Sequence, residues 1–269
     1  MVTTTENTPE ILETSVLLDH FTTRQLTAKS GYSPEWWGEM IVKELTDNGI
    51  DASESAGTLP EIKIEVTGEH VAVSDNGPGI PESTIHGACD YSKRVSSKAR
   101  RPIPTRGSQG EALKQCFAVP YVLHGADGTV EIVTRGRQFS VSVRTDQVEQ
   151  RPKVVVTNGA TSVKNGTSVK VLWPELASRM LTDEGARFLP IATGFAVFNP
   201  HLAISADTPQ GTARFTATNP GWQKWLPTFR SSAHWWTSDD LTGYIGALIS
   251  KDRRTGASRT VRDLIGPNR

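Results

Sequence analysis

Glu44-Leu45-Thr46-Asp47-Asn48-Gly49-Ile50-Asp51-Ala52 is the stretch whose reading decides the fold. It follows Trp36, Trp37, Met40 and Ile41, so it reads as the second half of an amphipathic helix opened by Ser33-Pro34. Serine is a good N-cap, and proline suits the first helical position. At about 3.6 residues per turn, Glu44, Asn48 and Asp51 fall within roughly 60° of one another. They border the apolar stripe of Trp37, Ile41, Leu45 and Ala52. Carboxylates and an amide at the margin of a buried face cost free energy unless they find partners. A hard cation with its water shell would supply them, because magnesium takes oxygen ligands and keeps several waters. An ordinary solvated helix face is the competing reading.

Downstream, Ile62, Ile64 and Val66 alternate with polar residues, as do Val71 and Val73 beyond a turn at Gly68-Glu69. That pattern predicts a hairpin with one buried face. The hairpin runs into Asp75-Asn76-Gly77-Pro78-Gly79-Ile80, where glycines after a strand mark a sharp backbone turn able to lie close to a ligand. An aspartate at the strand end can accept a hydrogen bond from an amino group; alone, the string also fits a plain turn. Pro81-Glu82 should start a helix reaching about Asp90.

From Tyr91 to Gly110 there are six Lys or Arg, four Ser, two Pro and no acidic residue. A stretch of this kind is a lid, a binding loop or a solvated basic segment. The lid reading is favoured because it ends in Arg106-Gly107-Ser108-Gln109-Gly110-Glu111-Ala112-Leu113-Lys114. Glycines opening a helix offer backbone N–H groups and the positive end of the dipole to an anion. Strands are then predicted over 120–124, 130–134, 139–144, 154–157 and 167–173, the first and last apolar enough for burial on both sides. Helices follow over 175–198, interrupted near Pro190, and an antiparallel pair over 201–205 and 212–216. A helix N-capped by Ser238 should run to Ile249, ahead of a basic loop from Lys251 to Arg259. The tryptophans Trp222, Trp225, Trp235 and Trp236 read as packing rather than a base-stacking platform.

The 269 residues suffice for one large domain with a small appendage, and 36% hydrophobic with 22% charged residues is ordinary globular composition. Zero net charge argues neither for nor against nucleic acid, and two cysteines, Cys89 and Cys116, fit a reducing, cytoplasmic setting. No apolar run reaches about 18 residues, so no membrane contact is expected. The polar N-terminus lacks a signal-peptide layout, and the histidines lack zinc-ligand spacing. The expected organisation is an arm over 1–30, a main domain over 31–220 and a helical appendage over 221–269.

Glu44-x-x-Asp47-Asn48-x-x-Asp51-Ala52, Asp75-x-Gly77-x-Gly79-Ile80, Gly107-x-x-Gly110 and Gly166-Thr167, in that order, resemble the N, G1, G2 and G3 boxes of the GHKL ATPases (gyrase B, heat-shock chaperone, histidine kinase, MutL). The resemblance covers roughly residues 30 to 205. Within that superfamily the pattern is most similar to the topoisomerase VI B subunit, through Glu44 to Ala52, Tyr91-Ser92-Lys93 and Thr105-Arg106-Gly107-x-Gln109-Gly110. It implies a Bergerat-type α/β two-layer sandwich, with a mixed, mostly antiparallel sheet and helices on one face. It implies ATP and magnesium as ligands, with Glu44 the general base, Asn48 the magnesium ligand and Asp75 the acceptor from the adenine amino group. Asp51, Gly77, Gly79 and Ile80 would line the nucleotide, and Thr167 would complete the adenine pocket. Ser92, Lys93, Arg106, Gly107, Ser108, Gln109, Gly110, Glu111, Ala112, Leu113 and Lys114 would meet the phosphates. A homodimer closing on ATP, DNA, and a topoisomerase A-like or Toprim-type partner subunit are implied in turn.

Two features depart from the pattern. Ala112 stands where the lid's last glycine is usual, and no counterpart of the transducer lysine can be assigned before Arg269. Turnover is therefore expected to be slow or partner-dependent, or the chain to be a piece of a longer protein. A non-hydrolysing ATP-dependent switch is the alternative; a histidine kinase domain would expect a phosphoacceptor upstream, where only His20 stands. No Gly-x-x-x-x-Gly-Lys-Ser/Thr or Gly-x-Gly-x-x-Gly lies between a strand and a helix, which sets aside P-loop and Rossmann enzymes.

Overall fold

The computed structural model describes residues 17–91, 112–124, 128–146, 148, 151–224, 237–256, 258 and 260. The chain divides into two compact units, Met1–Lys224 and Trp225–Arg269, each described by itself. In the first, Thr22 caps α1 (Thr23–Ser30), its hydroxyl accepting from the Gln25 amide at 3.2 Å. A 3₁₀ turn, Pro34–Trp36, then leads into α2 (Trp37–Ala56). Ser33 does not cap through its side chain; its hydroxyl donates to Glu35 at 2.6 Å instead. Helix α2 buries Trp37, Met40, Ile41, Val42, Leu45 and Ile50, and ends at Gly57 in the left-handed region (φ 71°).

The remaining elements of this unit are β1 (Glu61–Val66), β2 (His70–Asp75), α3 (Glu82–Cys89), α4 (Ala112–His124), β3 (Thr129–Thr134), β4 (Arg137–Asp146), β5 (Arg151–Ala160), β6 (Thr167–Leu172), α5 (Arg179–Thr182), α6 (Phe188–Phe198), β7 (Ala203–Thr208) and β8 (Gly211–Phe215). The strands form one eight-stranded sheet in the order β5-β4-β3-β6-β2-β1-β7-β8. Every neighbouring pair is antiparallel except β1 with β7.

Register explains the layering. Val130, Val171, Val71 and Val66 stand in one cross-strand row, and Phe139, Ile132, Val169, Val73, Ile64 and Ala206 in the next. All are buried, while the alternate residues of β1, β3 and β6 are exposed or half-buried. One face of the sheet is therefore the core face, and α2 lies on β1 and β2, α4 on β3 and β4, and α6 on β7 and β8. The fold is the mixed α/β sandwich that the sequence implies.

Several boundaries differ from the sequence reading. Residues 120–124 are not a strand but the end of α4, which continues through Pro120. The lost donor and the ring clash at Pro120 are outweighed by burial of Cys116, Phe117, Ala118 and Val119. The backbone of Gly128 lies so close that a Cβ there would stand 2.4 Å from the Tyr121 nitrogen. Strand β6 is not covered on both sides: Thr167, Val169 and Val171 are buried, whereas Ser168 and Lys170 on the alternate face are half-buried and Leu172 is 37% exposed. Pro190 does not interrupt α6 but sits in its first turn, where its missing N–H has no intrahelical acceptor anyway. In the second unit, α7 (Ser238–Thr255) is capped by Thr237 rather than Ser238, and Asp240 returns the bond to complete a capping box. It runs beyond Ile249 through Lys251, Arg253 and Arg254, whose charges suit the helix C-terminus, and stops at Gly256 (φ 68°). Among the described residues, no helix is long and apolar enough to cross a membrane.

Candidate active site

The core face changes character at one end. In the row Thr134–Thr167–Asp75–Ile62, three polar side chains from β3, β6 and β2 follow one another across the sheet. Thr134 and Thr167 are buried, and Asp75 is half-buried. Burial pushes the Asp75 carboxyl above its ordinary value, opposed by hydrogen bonds from the Gly77 and Thr167 amides. The Gly77 amide donates to Oδ1 at 2.8 Å. A carboxylate has about four acceptor positions, so two amides leave capacity for another donor.

Helix α2 closes over this row at Gly49. A Cβ at Gly49 would stand 2.7 Å from the Ile62 side chain and 2.9 Å from the Asp75 Cβ. Only glycine lets α2 come so near the carboxylate, a role the sequence reading missed; the signal was a glycine inside a helix, where it costs about 0.5–1 kcal/mol relative to alanine. Also missed was Asn76, whose Oδ1 accepts from the Ser53 hydroxyl (3.1 Å) and the Glu61 amide (3.0 Å) while its Nδ2 donates to the Leu59 carbonyl (3.0 Å). It ties the glycine loop to both α2 and β1.

Of the residues singled out from sequence, Glu44, Asn48 and Asp51 all lie on α2. The Glu44 side chain is 30% exposed and accepts from Lys43 Nζ at 2.9 Å. Lys43 also meets Asp47 at 3.1 Å; burial draws its ammonium down, but the two carboxylates outweigh that and hold it above its ordinary value. Glu44 also faces α4: the buried Cys116 thiol is pushed up first by burial and then by the Glu44 charge. Asn48 is half-buried. Asp51 is 2% exposed and paired with Lys224 at 3.1 Å.

Gly77, Gly79 and Ile80 form the loop after β2, and Thr167 opens β6. Gly79 and Gly166 both have φ 79°, and a Cβ at Gly166 would stand 2.1 Å from the Asp75 carbonyl oxygen, so both positions require glycine. Ala112, Leu113 and Lys114 begin α4 as described. Lys114 is buried, donates to the Asp90 carbonyl at 2.8 Å and lies 5.4 Å from the Tyr91 ring centre, whose hydroxyl returns a bond to the Lys114 carbonyl. Ser92, Lys93, Arg106, Gly107, Ser108, Gln109, Gly110 and Glu111 lie outside the described residues, as do Trp225, Trp235 and Trp236. Among the described residues, no cluster of three His, Cys, Asp or Glu could hold a metal.

The arrangement is thus an oxygen-bearing helix laid beside a carboxylate at a strand end, with glycine loops either side of it, on a mixed sheet. Sequence comparison adds the family. Residues 38–176, just over half of the chain, match the family model described as histidine kinase-, DNA gyrase B-, and HSP90-like ATPase. The chain belongs to that family.

Among individual relatives, it is 30% identical over 179 residues to the B subunit of type 2 DNA topoisomerase 6 from Pyrococcus horikoshii. It is 29% identical over 178 residues to that of Thermococcus onnurineus. In both cases the match covers 64% of this chain and 31% of the relative, so the chain spans about a third of the length of the curated relatives it matches. Among solved structures, it is similar to the ATPase domain of the mismatch repair endonuclease MutL of Aquifex aeolicus, with 15% identity, TM-score 0.37, and coverage of 66% of this chain and 59% of that one.

Proposed function

We propose that this chain binds ATP beside α2 and Asp75 and hydrolyses it with magnesium. The observation that carries the reading is the close approach of α2 to Asp75 through Gly49, which sets Glu44 and Asn48 on the same helix that walls a half-buried carboxylate. Asp75 would accept from the exocyclic amino group of the base, beside Thr167, while Ala112, Leu113 and Lys114 would meet the phosphates, a role the family resemblance also implies for Ser92, Lys93 and Arg106 to Glu111.

Magnesium fits the donor set. Asn48 offers a hard amide oxygen one helical turn from Glu44, and magnesium bound with substrate phosphates needs only one or two protein ligands. When bound, the ion would neutralise charge on the phosphate oxygens. Glu44 would orient a water and accept its proton as the water oxygen bonds to the γ-phosphorus and the bond to the β,γ-bridging oxygen breaks, leaving ADP and phosphate. Its one bond from Lys43 leaves acceptor positions open for that water. ATP binding would close a homodimer, and the likeness to topoisomerase 6 B subunits supports DNA and a topoisomerase A-like or Toprim-type subunit as partners, in the cytoplasm. Ala112, at the start of α4 where the family pattern has the lid's last glycine, favours a second reading: an ATP-dependent switch with little turnover.

The test is ATP binding and hydrolysis with magnesium, with DNA present and absent, in the parent, Asp75→Asn and Glu44→Ala. The ATPase reading expects Asp75→Asn to weaken binding about 10- to 100-fold, the loss of a charge-assisted hydrogen bond. Glu44→Ala should keep binding and lose turnover by about 10²- to 10⁴-fold. A parent that binds but never turns over supports the switch, and one that does not bind ATP overturns both.

A further inference from the structure

Contacts from one hairpin end converge on the loops around Asp75. Thr134, 1% exposed, accepts from the Ile80 amide at 2.8 Å and donates to the Gly166 carbonyl at 3.4 Å. Its single hydroxyl thus joins the loop after β2 to the turn before β6, whose own direct tie is the Gly166 amide to the Gly77 carbonyl at 2.9 Å. A hydroxyl supplies one proton and two lone pairs, so it can serve both loops at once, which an apolar side chain of the same shape cannot.

The next residue carries an independent signal. Arg135 and Gly136 form a two-residue turn with both φ positive (49° and 76°), and Arg135 is the one non-glycine with positive φ among the described residues. Such turns favour Asn, Asp or Gly. The arginine holds its unfavourable backbone while its Nε donates to the Pro78 carbonyl at 3.0 Å, inside the glycine loop. A Cβ at Gly79 would meet Arg135 Cγ and Thr134 Oγ1, each at 2.7 Å, so the turn and the loop lie in direct contact. Arg137, the cross-strand partner of Thr134, reaches Glu82 at the start of α3 at 3.0 Å.

We propose that the β3–β4 hairpin end is a clamp that positions the base side of the nucleotide site, with Thr134 and Arg135 as positioning residues. The proposal rests on the ATP reading above. Neither residue is assigned a contact with the nucleotide; both fix the Gly77–Ile80 backbone, and Thr134 also fixes Gly166 against it. Loosening the clamp leaves Asp75 in place but frees the loop that must order around the base. The effect therefore falls on nucleotide affinity rather than on the chemical step.

The test measures ATP affinity, kcat, KM and thermal midpoint for the parent, Thr134→Ser, Thr134→Val and Arg135→Gly. Thr134→Val should weaken ATP binding about tenfold, the consequence of leaving a buried amide and a carbonyl without their partner. Its kcat at saturating ATP should stay within about twofold, since uniform binding is what is lost. Thr134→Ser, which keeps the hydroxyl, should bind like the parent. Arg135→Gly separates positioning from stability: glycine suits the turn, so the thermal midpoint should hold or rise while ATP affinity falls. Parental affinity in both Thr134→Val and Arg135→Gly, or a loss confined to kcat, overturns the clamp alone. Arg135→Gly decides the matter if Thr134→Val does not fold. A parent that binds no ATP overturns the nucleotide reading and the clamp with it.

Discussion

At the residue scale, Asp75 shows how a site carries a cost that the fold must hold. Its carboxyl is pushed above its ordinary value of 3.8 by burial, and the amides of Gly77 and Thr167 recover only part of that. The folded protein therefore binds this proton more tightly than the unfolded chain. The contribution of Asp75 to stability is fully present below its unfolded value and is lost as pH rises through its folded value. Asp75→Asn removes the titration, so its thermal midpoint should gain on the parent's as pH rises from 3.8, levelling off once the folded-state carboxyl is ionised. Midpoints of both proteins followed across that range without nucleotide decide it. A gap moving the other way would mean that the amides, not burial, dominate at this carboxylate.

At the element scale, opposing effects meet at Gly49. Helix propensity alone predicts that alanine in a helix interior stabilises by about 0.5–1 kcal/mol. A Cβ at Gly49 would overlap Ile62 and the Asp75 Cβ, and overpacking of this kind costs about 1–3 kcal/mol. The clash outweighs the gain in propensity, so Gly49→Ala should lower stability in urea unfolding. Gly194, in α6 with nothing within 4 Å of its would-be Cβ, is the control, and Gly194→Ala should raise stability. If both substitutions stabilise, α2 does not lie against β2 as described. This contrast also shows what was legible in the sequence. Strict alternation announced β1, and the Asp75 to Ile80 string marked the loop because its glycines are local necessities. The row Thr134–Thr167–Asp75 was not legible, because cross-strand register joins residues from three separated strands. Residues 120–124 misled because Pro120 and the apolar run after it carry a strand's local signal, while tertiary burial of the residues before it decides for helix.

At the scale of the whole molecule, the end of the first unit is tied back onto α2. The Asn219 amide donates to the Pro200 carbonyl at 2.8 Å, Trp222 stacks on His201 at 4.6 Å, and His201 meets Glu54 at 3.1 Å. Lys224 then reaches Asp51 at 3.1 Å and Glu54 at 3.4 Å. These contacts join residues far apart in sequence, so no local pattern could announce them, and Asp51 read from sequence as a nucleotide-side residue alone. With Asp51 2% exposed and Lys224 20% exposed, the pair is largely shielded from solvent. Breaking a buried pair costs up to about 3–5 kcal/mol; the residual exposure of Lys224 and the further interactions of Asp51 and Glu54 place Lys224→Met at or below the low end of that range. Asp51→Asn combined with Lys224→Met should recover part of the loss, since one of the two carboxylates that Lys224 meets is then neutral, and a double-mutant cycle in urea isolates that coupling. Additive losses would mean that the two side chains act independently. If they are coupled, loosening Lys224 should also weaken nucleotide binding, because Asp51 lies one turn from Asn48 on the helix that walls the site.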